Sequence, residues 1–214
     1  MLITQRLSLI FIVGYFFVSG LLINVAIAED HPAQQLVTKT TTDLLLAFQL
    51  EKAAIEADSA VLRKIVSDKI LPYFDFVRMS KLALGKHWRR ATVPQRKAFT
   101  IQFRELLLNT YAKALYRFAD AEVHYKPVRF EEGDRYVDVA SEVDTGDGSV
   151  AVTYRLYEKN DSWKVFNITI EGVSLITNYR STFSTFARKK GIDALVADLE
   201  RRNKRAAASD DEPA

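Results

Sequence analysis

The residue types that most often carry chemistry are few in this chain and poorly spaced for it. His31, His87 and His124 fall in an irregular start, a basic turn and the opening of a strand. None lies within a His-Glu-x-x-His string or another close metal-ligand spacing. A serine nucleophile on a sharp strand-to-helix turn calls for Gly-x-Ser-x-Gly. The nearest string, Gly172-Val173-Ser174-Leu175-Ile176, lacks the second glycine, and Ser174 is better placed to cap the helix that follows. Gly146 and Gly148 sit in a hairpin turn, not in a phosphate-cradling loop. Asp138 and Glu142 share one strand face and could form a carboxylate pair, but alternation directs that face to solvent. There is no cysteine, which excludes disulfides, thiolate catalysis and cysteine metal sites. The residues therefore assign no catalytic group, no metal ligand and no cofactor.

Two other features could act by binding. Lys86, His87, Arg89, Arg90, Arg96 and Lys97 surround Trp88. Such a cluster suits anionic headgroups or a partner protein, but the ordinary fate of exposed charge is a solvated turn, here beyond a helix C-terminus where cations are favoured. The second feature is apolar excess: 13 Phe and 9 Tyr recur along amphipathic segments. Most must form ordinary core, yet a sheet face and a helix face of this composition can also enclose a slot.

The elements that would position these groups follow from periodicity. Residues 33–71 read as helix, with Leu36, Leu44, Leu45, Phe48 and Ile55 at helical spacing and a second helix capped by Asp58 or Ser59. Pro72 ends it. Asp75 is placed to cap a short helix that stops at Gly85. Thr92 and Gln95 have the spacing of a capping box, ahead of the longest helix, which runs to about Phe118. The period then changes from 3.6 to 2. Strands are expected at 123–130, 136–143, 150–156 and 163–170, joined by short turns as an antiparallel meander. After Glu171-Gly172 helical spacing returns, Gly191 stops one helix and Asp193 caps the last. The order predicts an α+β fold, helices packed on a four-stranded antiparallel sheet.

The chain has 214 residues, enough for one domain, with 48% hydrophobic and 27% charged residues. A formal net charge of +3 is too mild for a nucleic-acid binder. Residues 1–28 carry Arg6, an apolar run from Leu7 to Ile23, and Ala26-Ile27-Ala28, the pattern of a signal peptide with its cleavage site, with an uncleaved membrane anchor as the alternative. Residues 29–205 are then expected to form the single domain, and 206–214 a disordered polar tail.

Ile70-Leu-Pro-Tyr-Phe-Asp-Phe-Val-Arg-Met-Ser80 opens a longer pattern that continues through Leu84-Gly85-Lys86-His87-Trp88-Arg89, Thr92, Gln95, Phe99, Phe103-Arg104-Glu105-Leu106-Leu107 and Tyr111. It resumes at Trp163-Lys164-Val165-Phe166, Glu171-Gly172-Val173-Ser174-Leu175, Asn178-Tyr179-Arg180 and Gly191-Ile192-Asp193-Ala194-Leu195. In combined spacing this resembles the MlaC family of periplasmic phospholipid-binding proteins, also called toluene-tolerance auxiliary proteins. The resemblance implies a curved antiparallel sheet with helices against it and a hydrophobic lipid slot between the two. It implies a periplasmic phospholipid carrier that shuttles lipid between inner and outer membranes and maintains outer-membrane lipid asymmetry. The implied partners are an inner-membrane ABC transporter complex with an MCE-domain subunit and an outer-membrane lipoprotein–porin complex. Periodicity then selects the side chains that would line the slot: Phe76, Met79, Phe103, Leu107, Tyr111 and Leu115 from helices, and Val139, Val152, Tyr154, Phe166 and Ile168 from strands. Two rivals stand beside this reading. A small isomerase-like enzyme on a similar fold would need a buried acid or histidine aimed into the cavity. An exported adaptor without a ligand cavity would show a filled interior and an exposed apolar patch.

Overall fold

The computed structural model describes residues 30–131, 133–146 and 148–210, so the leader expected at 1–28 lies outside the described residues. Six α-helices come first, with a 3-10 turn at Leu71–Tyr73 after the third: α1 (Pro32–Leu50), α2 (Lys52–Ala57), α3 (Ser59–Lys69), α4 (Phe76–Leu84), α5 (Lys86–Arg90) and α6 (Val93–Tyr116). Five strands follow: β1 (Glu122–Tyr125), β2 (Val137–Asp144), β3 (Ser149–Lys159), β4 (Ser162–Ile170) and β5 (Val173–Ser174). Helices α7 (Leu175–Lys190) and α8 (Ile192–Asp210) complete the chain. Among the described residues no helix is long and apolar enough to cross a membrane.

Helix ends form where the cap residues dictate. Asp58 accepts from Ala60 N–H, and Asp75 accepts from Arg78 N–H at 2.9 Å. Thr92 and Gln95 close both bonds of the capping box at the start of α6, 3.3 and 2.9 Å long. Ser174 accepts from Thr177 N–H, the capping role its sequence position implies. Gly85 ends α4 at φ +55°, ψ −123°, a conformation open in practice only to glycine.

The sheet is an antiparallel meander in the order β1-β2-β3-β4-β5. It has five strands, one more than expected, because Glu171 and Gly172 both adopt positive φ and fold Val173–Ser174 back onto β4. β1 stops at Tyr125, short of the expected 123–130, since Pro127 cannot donate to a ladder. Lys86–Arg90 winds into a short helix where a turn was expected. Asp193 lies inside the first turn of α8, whose helix starts at Ile192. α8 also runs to Asp210, through the first five residues of the expected tail.

Three apolar clusters hold the layers together. The first joins α4, α6, α7 and α8 through Phe99, Phe103, Phe183, Leu195 and Leu199. The second joins α1, α3 and α6 through Leu44, Phe48, Leu62, Val66 and Leu108. The third seats Ala33 and Val37 of α1 on Val137, Val139, Leu156 and Val165 of the sheet. Trp88 is 9% exposed and belongs to the first cluster, so it anchors α5 and does not project toward a headgroup. The opposite sheet face is charged and exposed, with Asp138 facing Arg155 across a strand pair at 3.5 Å.

Candidate functional site

Between these clusters the interior is not filled. A cavity of about 280 Å³ lies between the inner sheet face and α1, α3, α4 and α6. Strand alternation builds one wall. Val150, Val152 and Tyr154 of β3 point inward, paired across the ladders with Val143 on β2 and with Ile170 and Ile168 on β4. From Val150 to Tyr154 the strand rises roughly 14 Å, close to the ~15 Å of one leaflet of hydrocarbon. Helical spacing builds the facing wall, where Leu107, Tyr111 and Leu115 stack on successive turns of α6. Leu36, Thr40, Thr41, Leu44 and Leu45 of α1 close one side.

Residues 71–76 set the position of the third wall. Asp75 N–H donates to Val165 carbonyl at 2.9 Å, tying this stretch to β4. The Asp75 carboxylate is buried and accepts from Tyr157 O–H and from Lys159 Nζ at 2.8 Å. Burial alone would raise its pKa, but the bonds from Lys159, Tyr157 and Arg78 N–H outweigh it and hold the carboxyl below its ordinary value. The Arg78 guanidinium lies 4.1 Å from the Tyr157 ring centroid and 4.2 Å from that of Phe166, and donates to Tyr136 O–H at 2.9 Å. The first turn of α4 is thereby pinned to the sheet, and Phe74, Phe76 and Met79 face the cavity.

No lining residue is charged. Burial pushes the hydroxyls of Tyr111 and Tyr154 well above the ordinary tyrosine range, and Tyr179 adds to the effect on Tyr111. Both stay neutral at any physiological pH. The cavity therefore presents hydrocarbon and a few neutral hydroxyls, with no acid, base or nucleophile. Among the described residues no group of three or more His, Asp or Glu could hold a metal ion. Such a wall can solvate alkyl chains and little else.

Eight of the residues expected at the slot line this cavity: Phe76, Met79, Leu107, Tyr111, Leu115, Val152, Tyr154 and Ile168. Three do not. Phe103 is fully buried one turn before Leu107, packed on Phe99, Phe183 and Tyr179. Val139 is fully buried beneath the start of α1. Phe166 is displaced by a register shift between Arg155 and Leu156, which turns Val165 inward and sets Phe166 against Tyr157 and Tyr136. The α1 wall was missed, although Leu36, Leu44 and Leu45 carried its signal as an ordinary amphipathic stripe.

Known proteins share this arrangement. The family model described as MlaC protein matches residues 38–201. The intermembrane phospholipid transport system binding protein MlaC of Haemophilus influenzae is 24% identical over 197 residues, 89% of this chain and 90% of that protein. Toluene tolerance protein ttg2D of Pseudomonas putida is 26% identical over 174 residues, 80% and 79% of the two chains. A solved phospholipid-binding protein from Ralstonia solanacearum, in complex with a phospholipid, superposes with a TM-score of 0.70 at 33% identity, covering 83% of this chain and 99% of that one. With the family pattern running from α1 into α8 and an uncharged cavity enclosed by those elements, the chain belongs to the MlaC family.

Proposed function

We propose that this chain is a periplasmic carrier of phospholipid that moves lipid between the inner and outer membranes and catalyses no reaction. The observation that carries this reading is the uncharged cavity of about 280 Å³ between sheet and helices. Its cavity-lining residues hold the acyl chains, while Phe103, Val139 and Phe166 act through the packing behind that wall. Each methylene removed from water contributes about 0.8 kcal/mol, so a single long chain gains on the order of 10 kcal/mol from shelter. The same gain is available in a bilayer, so loading and unloading are near balance and direction is set by the partners. Those partners are the inner-membrane ABC transporter complex and the outer-membrane lipoprotein–porin complex. Export through the leader at 1–28 places the carrier between them.

Transfer between vesicles tests this reading. Labelled phospholipid should pass from donor to acceptor vesicles faster with the protein present, and the recovered lipid should be unchanged in mass. No acceleration would count against a carrier, and cleaved or modified lipid would make the protein an enzyme.

A further inference from the structure

Charge is divided unevenly over this chain. Residues 76–104 hold eight Lys or Arg and no Asp or Glu, and residues 172–192 hold four and none. The remaining chain has 18 bases against 27 acids, a net −9 beside the +12 of these two stretches. The fold brings the two basic stretches together, since α4 packs on α7. The Arg180 guanidinium lies within about 3 Å of where a Cβ on Gly85 would stand. His87 is buried 3.4 Å from Ser184 Oγ, and Lys86, Arg90 and Arg188 are close enough to add to the effect of burial in holding its pKa down.

Lys86, Arg89, Arg90, Arg188, Lys189 and Lys190 are all exposed. None forms an ion pair with a described residue. Asp193, the first acid after Lys190, is held by Gln95 Nε2 at 2.9 Å. Of the large apolar side chains at this face, Leu84, Trp88 and Phe183 are buried and Phe186 is half-buried, with Lys190 Nζ 5.4 Å from its ring centroid. Protein interfaces usually centre on an apolar patch with charge at the rim, whereas a diffuse anionic surface needs only unpaired cations.

We propose that the face formed by α5 and the C-terminal end of α7 docks on an anionic phospholipid surface. This face is separate from the cavity, none of whose lining residues it shares. Docking therefore stands or falls independently of lipid carriage.

The test uses the protein as processed and recovered from a Gram-negative periplasm, in sedimentation with vesicles of phosphatidylcholine alone or with about a third phosphatidylglycerol. Each cation near such a surface strengthens binding roughly fivefold, and the gain fades as salt shortens the screening length. Combined Arg89→Glu, Arg90→Glu, Arg188→Glu and Lys189→Glu substitutions should weaken binding to the anionic vesicles by more than 100-fold. The same charge change placed at Lys52, Lys69, Arg117 and Arg129 should weaken it far less. Should the first variant misfold by circular dichroism, Lys189→Gln with Lys190→Gln should still give a loss of 10-fold or more. The proposal is overturned if wild type ignores anionic vesicles at low salt, which would assign the face to an acidic protein instead. Equal binding to both vesicle types, or equal losses in the two four-site variants, would overturn it as well. Lipid content measured on the same preparations reports separately on carriage.

Discussion

Val152→Asp places one carboxylate in the middle of the cavity wall. Val152 lies on β3, level with Ser141 on β2 and Ile170 on β4, and its side chain lines the cavity. No lining residue is basic, so nothing there can pair with the new charge. An unpaired carboxylate against hydrocarbon costs about 3–5 kcal/mol, which at 1.4 kcal/mol per decade lowers lipid affinity by roughly two to three and a half decades. Alternation supplies the control, because Ala151 is exposed on the other face and Ala151→Asp should retain lipid as wild type does. The pH dependence has a definite sign. Beside acyl chains the introduced carboxyl would have a pKa above the ordinary ~3.9 of an aspartate, so lipid content of the variant should recover as pH falls through that raised value. The assay is lipid per protein after detergent-free purification, with circular dichroism to confirm the fold and Leu115→Asp as a second site on the helical wall. If Val152→Asp and Ala151→Asp hold equal lipid at pH 7, the cavity is not the binding site.

Other consequences concern the scaffold around that wall. Asp75 is held below its ordinary pKa, so its contribution is complete above about pH 4 and is lost as pH falls through the folded-state value. Asp75→Asn should cost roughly 1–3 kcal/mol at pH 7 and flatten the fall of melting temperature below about pH 4. Arg78→Lys keeps the charge but loses the planar stack on Tyr157 and Phe166, and urea denaturation should show a loss of about 1–2 kcal/mol. Gly85→Ala puts a Cβ 2.9 Å from Arg180 Nε at φ +55°, and should lower stability by about 1–3 kcal/mol in the same assay.

Local chemistry was legible where one residue type decides a local structure. The capping box at Thr92 and Gln95, the stop at Gly85 and the Ser174 cap depend on contacts within four residues, and all three stand as the sequence implies. The wall from Val150 to Tyr154 was legible for the same reason, since a strand fixes its faces by alternation. Phe166 was not, because the shift opposite Arg155 and Leu156 is a property of strand pairing and leaves no mark on β4 alone. Phe103 and Leu107 are one turn apart on the same stripe of α6. Only the placement of α7 decides that Phe103 is packed while Leu107 faces open space. The basic face shows the same limit, for its halves lie some hundred residues apart and meet only through the packing of α4 on α7.

Native mass spectrometry of the periplasm-processed protein, purified without detergent, bears most directly on the carrier reading. Phospholipid should be retained at a fixed ratio to protein and lost from Val152→Asp. A lipid-free mass, with no uptake from labelled vesicles, would contradict that reading and leave the chain an exported adaptor.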